Sequence, residues 1–104
     1  MKTLVFSENW SKLNDRLFTT LRKTCSLKQN EKIQVYIKPT NNRFFATVLY
    51  KSYQNLSSIS DSLITYDTDT KTREEAIKVF QQFYHLPIIG ENQFYLLIIE
   101  KEDC

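Results

Sequence analysis

Thr20 and Arg22 stand two positions apart in the segment Phe18-Thr19-Thr20-Leu21-Arg22, and Asp67 and Asp69 stand two apart further along. On an extended strand, residues i and i+2 share a face. A hydroxyl beside a guanidinium there suits a phosphate or the edge of a base. Lys23 adds a second cation directly after Arg22. The two aspartates could offer carboxylates to a cleft and accept from a nucleobase amino group. Equally, they could cap turns, as Asp does routinely. Thr20 and Arg22 have a plainer reading too, as a cross-strand threonine and a surface salt bridge.

Other chemistries lack their residues. Gly90 is the only glycine, so no glycine-rich phosphate-cradling loop can form. One histidine, His85, and two cysteines 79 positions apart, Cys25 and Cys104, give no paired ligand spacing for zinc. No metal and no cofactor is expected. Two such cysteines do not make a disulfide framework and are read as free thiols in a reducing compartment. His85 follows the best helix of the chain, where a cation favours the helix dipole.

The charge is uneven. Residues 1–52 carry ten Lys/Arg against three acidic residues, a balance of +7; residues 53–104 carry four against nine, a balance of −5. A basic half attracts polyanions at long range. Lys23, Lys28, Lys32, Lys38 and Arg43 are interleaved with Tyr36, Phe44, Tyr50 and Tyr53, the mixture that binds single-stranded nucleic acid by stacking in a basic groove. The alternative is a solvated surface whose charges intermix on folding, with Phe44 and Tyr50 in the core.

The elements that must position these residues follow from pattern. A chain of 104 residues, 41% hydrophobic and 25% charged, is expected to form one domain over 1–104. No apolar run reaches the roughly 20 residues of a membrane span, and Glu8 soon interrupts the N-terminal apolar patch, so a cytoplasmic protein is expected. Thr3–Phe6 reads as a strand, 7–15 as a short helix capped by Ser7 with Trp10 and Leu13 on one face, and Phe18–Arg22 as a strand. Lys32–Pro39 alternates cleanly and, across a turn at 40–43, predicts a hairpin with the strand Phe44–Tyr53. Residues 56–70 read mostly as loop, with one helical turn near Ile59–Leu63. Thr72-x-x-Glu75 is a capping box opening a helix through Tyr84, and Pro87 and Gly90 then break the chain. The continuous apolar run Phe94–Ile99 predicts a strand buried on both faces or closing a barrel. The expected fold is α+β: a small, mostly antiparallel barrel with covering helices at about 7–15 and 72–84.

Phe18-Thr19-Thr20-Leu21-Arg22 after a short helix, then Tyr66-Asp67-Thr68, then Thr72-Arg73-Glu74-Glu75-Ala76 opening a helix that ends in Phe83-Tyr84, then a hydrophobic last strand, resemble the ASCH domain family of PUA-like β-barrels. The resemblance spans nearly the whole chain, and its most telling piece is the Thr-x-Arg stretch. It implies a cleft lined by the Thr/Arg strand and a later acidic loop. The implied function is binding of RNA or a nucleotide through Thr20, Arg22, Lys23, Asp67 and Asp69. It also implies an enzymatic alternative. Small bacterial members look like amidohydrolases that deacylate N4-acetylcytidine with a Thr nucleophile, a Lys and a Glu. Aligned here, Thr20 takes the nucleophile's place and Asp69, or Asp67 if the loop shifts, that of the Glu. The lysine's place, three residues before Thr20, holds Leu17. A threonine hydroxyl is a poor nucleophile without a neighbouring base. Only a lysine folding in from elsewhere would restore the mechanism. A third reading is a protein-interaction domain that keeps the fold without a ligand.

Overall fold

The computed structural model describes residues 1–84 and 92–102. His85, Pro87, Gly90 and Cys104 lie outside the described residues. Among these residues five strands form one sheet: β1 (Thr3–Phe6), β2 (Leu17–Arg22), β3 (Lys32–Ile37), β4 (Asn42–Asn55) and β5 (Gln93–Lys101). Their order is β1-β3-β4-β5-β2, with β1 and β3 parallel and all other neighbours antiparallel. Two helices, α1 (Asp61–Thr68) and α2 (Arg73–Tyr84), complete an α+β fold. The sheet curls into a half-barrel, in line with the α+β barrel class expected from the sequence.

Parity places the cores. On one face, Leu4, Phe6, Phe18, Ile33, Val35, Ile37, Ala46, Val48, Leu97 and Ile99 pack together with Leu13. On the opposite face of β2 and β5, Leu21, Phe94 and Leu96 pack against Leu56, Ile59, Ile64, Ala76 and Phe80. β5 therefore buries side chains on both faces, which is why its sequence is a continuous apolar run. A bulge between Val48 and Tyr50 interrupts the β4–β5 register and bends the long β4 strand. The β3–β4 hairpin turns through Asn41 at φ 57°, a left-handed conformation that Asn tolerates.

Two helical expectations need correction. In place of a helix over 7–15 there is a single 3-10 turn, Ser11–Asn14, whose Trp10 N-cap makes no side-chain capping bond. Its Leu13 packs into the core and its Lys12 is buried. Conversely, 61–68 is an α-helix and not loop. Its polar composition gives weak helix propensity, and tertiary contacts override it. Ser60 caps it by accepting from Leu63 N–H (3.3 Å), and Ile64 is fully buried. Arg73 fastens α1 to α2: its guanidinium bonds the Asp61 carboxylate and the carbonyls of Ile59 and Leu56 (3.2 Å to Leu56). The expected box at Thr72 forms on one arm, where Thr72 Oγ1 accepts from Glu75 N–H (3.2 Å). Glu75 accepts from Lys71 N–H in turn (3.2 Å), one residue earlier than a standard box.

Candidate functional site

The half-barrel leaves a seam between its two edge strands, β1 and β2. A side chain spans it. Arg22 Nη2, on β2, donates to the Val5 carbonyl on β1 (3.0 Å), and its Nε donates to Thr20 Oγ1 (3.1 Å). The guanidinium lies over the Phe6 ring, 5.0 Å from its centroid. Among the described residues Nη1 has no partner, and the Thr20 hydroxyl hydrogen has no acceptor.

A cleft of about 210 Å³ opens at this seam. Its strand walls include Val5, Phe6, Thr20 and Arg22; Trp10 and Lys12 reach in from the 3-10 turn, Asp67 from α1 and Tyr84 from α2. The Lys12 ammonium donates to Asp67 Oδ1 at 2.8 Å, and Thr19 Oγ1 donates to the same oxygen at 2.7 Å. Lys12 is 3% exposed and Asp67 5%. The ammonium also lies 5.5 Å from the Phe6 centroid and 6.0 Å from that of Trp10. Burial pushes the Lys12 pKa below its ordinary value, and Asp67 opposes the shift. Burial likewise lowers Arg22 and raises the Tyr84 phenol.

Thr20, Arg22 and Asp67 thus meet at one cleft. Asp69 does not. Because 61–68 is helical, two positions along the chain turn the side chain to another side. Asp69 forms the left-handed C-cap of α1 (φ 56°) and is exposed. The turn-capping reading fits Asp69, while Asp67 is an ion-pair partner. Lys23 lies past the cleft, with its ammonium 5.2 Å from the Phe94 centroid, and lines a neighbouring depression.

Sequence reasoning missed Lys12. Its place on an expected amphipathic helix gave it no partner, and its carboxylate is 55 positions away. A weak signal existed: it is the lone lysine among the apolar residues Trp10 and Leu13, which pack on the core. Arg16 pairs with Glu100 (3.6 Å) and Lys32 with Glu102 (3.5 Å), so the charges of the two halves intermix. Tyr36 lies under Arg43, with 4.1 Å between ring centroid and guanidinium, and Phe44 packs on the core.

Among the described residues, no group of three or more His, Cys, Asp or Glu could hold a metal ion, and no helix is long and apolar enough to cross a membrane.

The fold and seam define a small α+β half-barrel with a cleft of mixed polar and apolar lining at its open edge. Among solved structures, it is similar to protein EF3133 from Enterococcus faecalis V583, of family DUF984. The TM-score is 0.68 at 12% sequence identity, over 99% of this chain and 77% of that one. At that identity the likeness concerns the fold. No family model and no curated protein matches the chain.

Proposed function

We propose that the chain is an ASCH-like module whose seam cleft binds a single nucleotide unit, free or within RNA. The observation that carries this reading is the convergence of Lys12, Arg22, Thr20 and Asp67 on one small cleft. Two cations against one carboxylate leave the cleft net positive, so an anionic group is favoured. Nη1 of Arg22 and the hydroxyl hydrogen of Thr20, which have no partner among the described residues, are donors for phosphate or a base edge. Phe6, Trp10 and Phe80 supply apolar surface for a ring. Drug-sized sites run to roughly 300–1,000 Å³, so a cleft of about 210 Å³ takes the base or the phosphate of one nucleotide, with the rest outside it, and not a duplex.

Trp10 is the only tryptophan and lines the cleft, so its fluorescence reports occupancy. Titration with ribonucleoside monophosphates should change Trp10 emission saturably in wild type and weaken about tenfold or more in Arg22→Ala. A flat titration with all four would overturn the reading.

A second reading, an amide hydrolase acting on an N4-acylated cytidine-type nucleoside, draws support from Lys12. A buried lysine with a lowered pKa is a candidate base near Thr20. Among the described residues, however, Lys12 bonds Asp67 while Thr20 bonds Arg22, and no hydrogen bond joins Lys12 to Thr20. Incubation with N4-acetylcytidine, followed by detection of cytidine and acetate, decides it. The binding reading predicts no turnover.

A further inference from the structure

Beyond the cleft, the register sets three side chains in a row on one face of the sheet. Arg22 of β2 is opposite Tyr95 of β5, and Tyr95 is opposite Tyr53 of β4. The two tyrosine rings pack at a centroid distance of 4.5 Å, tilted by 42°. The Lys51 ammonium lies 4.8 Å from the Tyr95 centroid. It is itself anchored by the carbonyls of Leu27 (2.6 Å) and Cys25 (3.3 Å), so Tyr95 is braced and not free to swing. Tyr53, by contrast, is 52% exposed. An open depression of about 580 Å³ lies against this pair, lined also by Lys23, Thr24, Cys25 and Ser26.

We propose that the Tyr53–Tyr95 pair is a stacking platform for a second nucleotide of a single-stranded nucleic acid whose first nucleotide occupies the seam cleft. The inference rests on the cleft reading and extends it from a mononucleotide to a short strand. Arg22 belongs to both places: it walls the cleft and is the cross-strand neighbour of Tyr95. Adjacent strands are about 4.8 Å apart, so the platform begins one to two strand spacings from Arg22, within reach of one phosphodiester linkage. A linkage crossing there runs from Arg22 toward the Lys51 ammonium, which lies on the same face of the sheet as the tyrosine pair; the Lys23 ammonium lies over Phe94 on the other face. Every base has a π-face, so such a platform binds with little sequence preference. The cations favour a phosphate-bearing ligand over a neutral sugar that would also stack on tyrosine. A cross-strand tyrosine pair also steadies a sheet. That role does not require one ring to face solvent beside a cationic depression.

The test compares each of the four ribonucleoside monophosphates with its homotrinucleotide by Trp10 fluorescence and calorimetry. The proteins are wild type, Tyr53→Ala and Tyr53→Phe, each with thermal melting checked. The trinucleotide should bind wild type about tenfold tighter or more, since stacking on an aromatic adds an increment of that order. Tyr53→Ala should lose that gain and keep its monophosphate affinity, and Tyr53→Phe should keep both. Equal affinities for mono- and trinucleotide in wild type, or a gain that survives Tyr53→Ala, would overturn the platform and leave the cleft reading standing. Tyr53-dependent trinucleotide binding with no monophosphate binding would support the platform and overturn the cleft. No binding of either ligand would overturn both.

Discussion

The ammonium of Lys12 and the carboxylate of Asp67 form an ion pair of 2.8 Å with both partners almost wholly buried, joining the 3-10 turn to α1 across the open seam of the half-barrel. Thr19 donates to the same carboxylate oxygen, so the pair is also tied to β2. The 3-10 turn and β2, neighbours in sequence, are thereby locked around one cleft to α1, whose Asp67 lies 55 positions from Lys12 and 48 from Thr19.

Breaking the pair on one side strands a buried charge. Lys12→Met should destabilise the fold by about 3–5 kcal/mol, as Asp67 is left uncompensated. The triple variant Lys12→Met/Thr19→Val/Asp67→Leu replaces the network with apolar groups and should recover most of that loss. Urea melts of the two variants check this; a triple variant no better than the single would show that the network itself is indispensable.

Ligand affinity should depend on pH through Lys12. Its pKa in the fold lies below the ordinary 10.5, chiefly by desolvation. The charged form is the one that attracts an anion. Affinity for a monophosphate should therefore fall as pH rises, with a midpoint below 10.5. Lys12→Arg should remove this loss over the accessible range, because a guanidinium stays protonated. The same shift works on stability in the opposite direction. Between the folded pKa and 10.5 the unfolded chain binds more protons, so the lysine's contribution to stability rises with pH across that window.

Much of the fold was legible in the sequence, and the reasons are local. The alternation of Ile33, Val35 and Ile37 marks β3, and the Thr72 box marks the start of α2, because neither signal needs a distant partner. Thr20 and Arg22 were legible as same-face neighbours for the same reason. The helix α1 was not, because Ser, Thr and Asp dominate it and its stability comes from Ile64, Asp67 and the Arg73 clasp. Lys12 was invisible as a cleft residue because only the closed topology brings it to Asp67. The choice between Asp67 and Asp69 turned on whether 61–68 is helix or loop.

The Arg73 clasp predicts a local effect. Arg73→Ala removes three hydrogen bonds that join α1 and the turn before it to α2. Charged hydrogen bonds contribute about 1.5–3 kcal/mol each and do not simply add, so a loss of about 2–4 kcal/mol is expected. Amide exchange should accelerate most in α1, and α1 is the element that carries Asp67. Weaker nucleotide binding should follow, and unchanged α1 protection would refute the clasp.

Geometry at the seam separates charge from fork. Arg22, which lines the cleft, donates from two different nitrogens to Thr20 and Val5. A lysine keeps the charge but cannot make all of these bonds at once. Arg22→Lys should lower monophosphate affinity about tenfold by calorimetry, with a smaller change in melting temperature than Lys12→Met. Full affinity in Arg22→Lys would reduce the role of Arg22 to charge alone.

The most direct test of the seam cleft is an amide and arginine side-chain NMR titration of the full chain with the four ribonucleoside monophosphates. The account predicts saturable shifts at Thr20, Asp67, the Trp10 indole and the Arg22 Nε–H, with little change along the β3–β4 hairpin. Shifts confined to the hairpin, or none at millimolar ligand, would contradict it.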